Sequence, residues 1–213
     1  GNQTIATDFN DSFGNAFAGK YESLFLVNQG DPEDRYEQFE NAVRTIYAST
    51  MSEDALTYRL QRGLDQLDEQ MALLVQRVSG THHGPYFYPD MAGVGVSYNT
   101  FVWNKDLDPA AGMLRIVAGL GTRAVDRPDD DYPRLVAMDY PLLRPQSCMD
   151  NIRQFSQRFM DVLNIPQNTL EPIPINRYLA EKPDWNVDLF AVEDEEAARR
   201  MKQLEMEGPP SWI

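Results

Sequence analysis

Two helical patterns stand back to back near the start of this chain, and nearly everything after them is a succession of short strand-like runs. Asp31-Pro32 gives an N-cap followed by proline at the first helical position, and Tyr36, Phe39, Val43, Ile46 and Tyr47 then recur at helical spacing. A second helix is expected from Ser52, with Leu56, Leu60, Leu64 and Leu67 on its buried side. Tyr21 to Val27 reads as a strand before the helices. After them come Gln70 to Val78, an apolar run suited to a strand covered on both faces, then Tyr86-Phe87-Tyr88, Val94 to Trp103, Met113 to Ala118 and Arg134 to Met138. Strand–helix–strand alternation is missing, which disfavours a doubly wound parallel sheet. The order predicts an α+β lobe, a mostly antiparallel sheet with two packed helices.

The remainder is less regular. Residues 2–11 are polar with no clear element of their own, residues 79–84 are turn chemistry, and residues 126–133 read as a solvated acidic loop. Beyond Pro141, Ile152, Phe155 and Phe159 suggest a helical start, although Phe159 to Leu163 suits a strand equally well. Trp185 to Val192 reads as a strand and Glu193 to Met206 as a helix. The chain divides on this reading into a lobe over 1–141 and an extension over 142–213. Gly1 reads as a residue left by tag removal, and the sequence closes on Trp212-Ile213. A fragment of a longer polypeptide is therefore expected, truncated at its N-terminus and continuing past its last residue.

A net charge of -14 offers no basic stripe for nucleic acid and disfavours an anionic membrane surface. No apolar run reaches ~20 residues, so no membrane span is expected. The single cysteine, Cys148, has no intramolecular partner, which fits a reducing, cytoplasmic setting. His82-His83 sits in a polar turn, where loop histidines without chemistry are expected. Tyr86, Phe87, Tyr88, Tyr98, Phe101 and Trp103 are expected to pack between strands. The acidic runs Asp129 to Asp131 and Glu193 to Glu196 read as solvated surface, the second favoured by a helix dipole.

Two glycine-bearing stretches carry the functional signal. Phe17-Ala18-Gly19-Lys20-Tyr21-Glu22-Ser23 runs from a small-residue loop into a strand, and Val117 to Gly121 is an apolar strand ending in Gly-Leu-Gly. Glycine at such points lets backbone amides approach a ligand closely, as phosphate-cradling loops require. Between them lie Thr57-Tyr58-Arg59, Leu74 to Val78, and Tyr86 to Asp90. In this order, over roughly residues 10 to 140, the chain resembles the ATP-binding region of the phosphoenolpyruvate synthase and pyruvate phosphate dikinase family. That resemblance implies an ATP-grasp type of lobe.

The resemblance also implies roles. The Gly19 loop, with Lys20 and Tyr21, would cover the phosphates, and Gly119 and Gly121 would form the second turn. Gln76, Arg77 and Val78 match the strand that presents backbone groups to adenine. Arg59 and Lys20 are candidate cations near the polyphosphate, and Asp90 matches the acidic position of an Asp-Pro segment. ATP is the implied cofactor, serving phosphoryl transfer in the parent protein, with other domains of that parent as partners. Family carboxylates that hold magnesium fall at Arg115 and Thr122, and the family's Arg-Ser-Ser stretch falls at Thr4-Ile5-Ala6-Thr7. No metal ligand is therefore assigned, no catalytic residue is named, and activity of this piece alone is not expected. The alternative is a divergent regulatory or interaction domain that keeps the fold without magnesium–ATP chemistry.

Overall fold

In the computed structural model the described residues are 3–7 (backbone only), 21–68, 71–125, 131–181, 184–189 and 191–204. The chain groups into two compact units, Gly1–Ser79 with Leu163–Leu170, and Gly80–Val162 with Glu171–Ile213.

In the first unit, β1 (Gln3–Thr7) lies between β2 (Leu24–Leu26) and β3 (Leu73–Arg77), antiparallel to both. The centre of this sheet is thus the polar segment for which sequence periodicity offered no element. Thr4 and Ile5 are β-branched, and the strand gains ladders on both sides from residues far away in sequence. Helix α1 (Pro32–Ser49) follows β2, starts at Asp31 with proline in its first turn, and buries Ala42 and Ile46. Phe39, Val43, Leu24, Leu26, Met71 and Leu73 pack around them. Tyr36 and Tyr47, assigned to this face by spacing, are instead 67 % and 47 % exposed. The apolar stripe is the narrower 39–42–43–46 set, one helical face.

Helix α2 (Glu53–Gln61) starts at Ser52, whose side chain accepts the Ala55 amide at 3.2 Å. Its buried side is Ala55 and Arg59, while Leu56, Leu60 and Leu67 are 42 %, 66 % and 60 % exposed. Three of the four leucines read from the sequence as a buried side are therefore outward, and Leu64 alone packs inward. A small residue at 55 lets Tyr21, Tyr58, Leu64 and Met71 close over the helix instead. β3 differs from expectation as well: Leu74 and Val75 are exposed, so the strand is not covered on both faces.

The second unit begins with β4 (Thr81–His83) and β5 (Tyr86–Tyr88), an antiparallel hairpin turning at Gly84. His82 and His83 are therefore strand residues, not loop residues. β6 (Met91–Val96), β7 (Met113–Ala118) and β8 (Arg134–Ala137) form a three-stranded antiparallel sheet in the order β6–β7–β8. The expected strand over 94–103 is displaced: β6 ends at Val96, and Tyr98 and Phe101 are exposed in the connection to β7. Short α3 (Thr122–Val125) follows β7, and α4 (Met149–Gln154) follows β8. β9 (Phe159–Asn164) and β10 (Thr169–Pro174) complete a four-stranded sheet in the order β10–β9–β5–β4.

After β10 come α5 (Ile175–Ala180) and α6 (Glu195–Gln203). Between them Val187–Leu189 is a 3-10 turn, where the sequence had suggested a strand over 185–192. Trp185 is held by burial rather than by a ladder: it joins Tyr88, Met160, Val162, Tyr178 and Leu179 in the core. Tyr88 is fully buried and donates its hydroxyl to that of Tyr178 at 2.9 Å, which satisfies a polar atom in an apolar surrounding. Burial raises the pKa of both phenols. All pairings given in register are antiparallel, in agreement with the expected α+β class.

Candidate nucleotide site

β7 runs out at Gly119-Leu120-Gly121, and α3 begins at the next residue. Gly119 has φ +77°, and a Cβ there would lie 2.8 Å from the Asp161 carbonyl oxygen. Only glycine tolerates both that conformation and that distance. The Leu120 amide donates to the same carbonyl at 2.9 Å, so the close approach made by this turn is to β9. Gly121 is different: a Cβ there would meet the Ala92 Cβ at 3.5 Å, an ordinary contact. Gly119→Ala is therefore expected to destabilise by about 2–3 kcal/mol in urea unfolding, and Gly121→Ala by less than about 0.5 kcal/mol. Equal effects of the two changes would contradict this account of the turn.

Charges lock the turn further. The Thr122 hydroxyl donates to Asp161 Oδ2 at 2.6 Å, and Arg123 Nε donates to Asp161 Oδ1 at 3.0 Å. Arg123 Nη1 reaches Asp131 Oδ2 at 2.8 Å. Asp131 also accepts the main-chain amides of Arg158 at 2.6 Å, Phe159 at 3.1 Å and Tyr132 at 3.1 Å. Its side chain is 1 % exposed, so the solvated loop expected at this position is corrected: a carboxylate holding a guanidinium and three amides has no need of water. Residues 129 and 130 lie outside the described residues.

This network explains threonine at 122. The carboxylate beside that position comes from β9, and it is already matched to a hydroxyl and a guanidinium. A second acid at 122 would face it at hydrogen-bond distance, which like charges disfavour. Arg115 is half-buried on β7, opposite Val94 and Leu135. Among the described residues, no group of three or more His, Cys, Asp or Glu gathers into a metal site.

In the first unit, Tyr21 is buried with Ala55. Arg59 is buried as well, and its guanidinium donates to the carbonyls of Leu67 at 2.6 Å and Leu64 at 3.4 Å, closing the turn after α2. Gln76 and Arg77 are exposed on β3 opposite Thr4 and Gln3, and Val78 is buried just beyond them. β3 is an outer strand of its sheet, paired with β1 alone among the described residues. One row of its main-chain donors and acceptors therefore has no sheet partner there. Gly19 and Lys20 lie outside the described residues.

In the second unit, exposed Asp90 stands next to β6, its Oδ1 3.8 Å from His83 Nε2. His83 is buried, stacked on Tyr88 with ring centres 4.2 Å apart. Its Nδ1 is 2.7 Å from the Asp184 carbonyl and its Nε2 2.9 Å from the Thr81 hydroxyl. His82 turns the other way, edge-on to Phe87 at 5.1 Å, as alternation along a strand requires.

Sequence reasoning missed Asp161, Asp131 and Arg123. The signal was available in part, because Thr122-Arg123 places a donor and a cation directly after the Gly-Leu-Gly turn. Their carboxylate partners lie 8 and 38 residues away from Arg123, beyond any local pattern. Asp194, read as solvated, is also corrected. Its side chain is 1 % exposed, paired with Arg153 and accepting the Ala197 amide at 3.0 Å as the cap of α6.

Comparison with known proteins adds one match. The family model described as the pyruvate phosphate dikinase AMP/ATP-binding domain covers residues 7–199. None of the curated proteins matches the chain.

Proposed function

The chain belongs to the pyruvate phosphate dikinase AMP/ATP-binding domain family, and from that premise we propose that it binds ATP or AMP chiefly through main-chain groups. The nucleotide base lies along the outer edge of β3 at Gln76, Arg77 and Val78, and the phosphates lie under the Gly19–Lys20 segment. The observation that carries this reading is the main-chain row on β3 that has no sheet partner among the described residues, a donor and acceptor ladder of the kind an adenine edge complements. A magnesium ion held at positions 115 and 122 is not part of it. Arg115 is a cation, and Thr122 is committed to the Asp161 carboxylate, which also pairs with Arg123.

In a longer parent protein such a lobe supplies ATP for phosphoryl transfer to an acceptor elsewhere. A second reading, a divergent lobe that keeps the fold without magnesium–ATP chemistry, is favoured by one observation, the closed Thr122–Asp161–Arg123 lock. Calorimetric titration with ATP and AMP, with and without magnesium, separates them. Saturable binding insensitive to magnesium is expected, with stabilisation of about 2.7 kcal/mol at a hundredfold excess over Kd. Gln76→Ala and Lys20→Ala should each weaken it. No heat and no thermal shift at millimolar nucleotide would overturn the proposal, and a tenfold gain in affinity with magnesium would move it to the phosphoryl-donor reading.

A further inference from the structure

A cavity lies wholly within the unit that begins at Gly80, with a volume of about 360 Å³. Its apolar wall includes Ile116, Leu135, Ile152, Phe155, Trp185 and Val187. Two guanidinium-bearing side chains, Arg134 and Arg144, also line it, and among the described residues no aspartate or glutamate does. Two other polar side chains there are engaged with the main chain: Gln157 exchanges hydrogen bonds with Ala118 at 2.8 and 3.1 Å, and Ser156 donates to the Ile152 carbonyl at 2.5 Å. Arg134 Nη1 is fully buried with no hydrogen-bond partner. Burial, with Arg144 close by, pushes the pKa of that guanidinium down. A half-buried cation with one buried, unmatched donor, beside a second cation and across from an apolar wall, is an arrangement that folding alone disfavours.

We propose that this cavity binds a small organic anion whose phosphate or carboxylate head takes Arg134 and Arg144 and whose flat apolar body rests against Leu135, Phe155 and Trp185. The site is distinct from the nucleotide reading, since none of the described candidate nucleotide residues lines the cavity. A volume of this order suits a compact small molecule rather than a peptide segment. A guanidinium pair selects the anionic head through paired N–H donors, and an aromatic wall selects the body.

The test uses the whole chain and 1-naphthyl phosphate as probe, followed by calorimetry. Saturable one-to-one binding is expected, weakened at least tenfold in Arg134→Met and in Arg144→Met. Inorganic phosphate and neutral 1-naphthol should each bind at least tenfold more weakly than the probe, and 1-naphthoate reports whether a carboxylate head serves as well as a phosphate. Thermal unfolding without ligand gives an independent readout. Arg134→Met should raise Tm, because it removes an unmatched buried charge, whereas a purely structural arginine would lower it. Absence of probe binding, binding unchanged in both variants, or a lowered Tm for Arg134→Met overturns the proposal. Displacement of the probe by ATP in competition would overturn it as a separate site.

Discussion

Asp131→Ala is expected to lower the stability of the unit that begins at Gly80 by about 3–5 kcal/mol, read as a shift of the urea midpoint. The side chain is 1 % exposed and carries four interactions at once, the Arg123 guanidinium and the amides of Tyr132, Arg158 and Phe159. Truncation leaves three donors without their acceptor and removes one of the two carboxylates that balance Arg123. Asp131→Asn keeps an acceptor oxygen but not the charge, so its loss should be smaller, about 1–3 kcal/mol. In the double variant Arg123→Met/Asp131→Ala the loss should be less than the sum of the single losses, because the cation left exposed to imbalance is gone as well. Additive losses would show that Arg123 and Asp131 act independently, contrary to the lock described for the turn.

The second large effect lies at Asp194. Hydrogen bonds from Arg153 hold its carboxyl down to about 2, below the ordinary 3.8, with the Ala197 amide helping and burial opposing. A depressed carboxyl stabilises the folded state above the pKa of the unfolded chain. That contribution is lost as pH falls through the folded value. Here the window runs from roughly pH 4 down to about 2, and the amount is about 2 kcal/mol. Asp194→Asn should therefore flatten the stability profile across that window while lowering stability at pH 7. Asp194→Ala should cost more at neutral pH, about 3–5 kcal/mol, because it also removes the α6 cap and leaves Arg153, among the described residues, with Asp150 and Glu196. An Asp194→Asn profile that falls as steeply as the parent's between pH 4 and 2 would place the acid-sensitive group elsewhere.

Features with local causes were legible in the sequence. Asp31-Pro32 and Ser52 marked the starts of α1 and α2, and β7 and β8 followed from apolar runs bounded by turns. The family signature was legible for the same reason, since it consists of short motifs in a fixed order, and the family model covers the stretch it predicted and continues to residue 199. Features whose cause is a distant partner were not. β1 is a strand because β2 and β3 flank it, and the five residues themselves carry little apolar weight. The outward Leu56, Leu60 and Leu67 misled because a leucine repeat on a helix is ordinarily a core stripe, whereas here Ala55 gives the closer approach. Asp131 and Asp194 looked like solvated acids because their partners, Arg123 and Arg153, are not adjacent in a helical or strand repeat. At the candidate site, the sequence assigned Gly119 a ligand, and the close contact the structure describes there is a carbonyl of β9.

His83 has a spectroscopic consequence. A carbonyl oxygen only accepts, so the ring nitrogen 2.7 Å from the Asp184 carbonyl must be the protonated one. The opposite nitrogen is 2.9 Å from the Thr81 hydroxyl, which can donate or accept. Nitrogen-15 spectra of the folded chain should accordingly show one imidazole whose Nδ1 carries a proton slow to exchange with solvent, beside the exposed ring of His82. The β4–β5 hairpin thus carries its own reporter, lost as soon as the hairpin separates from the segment at Asp184.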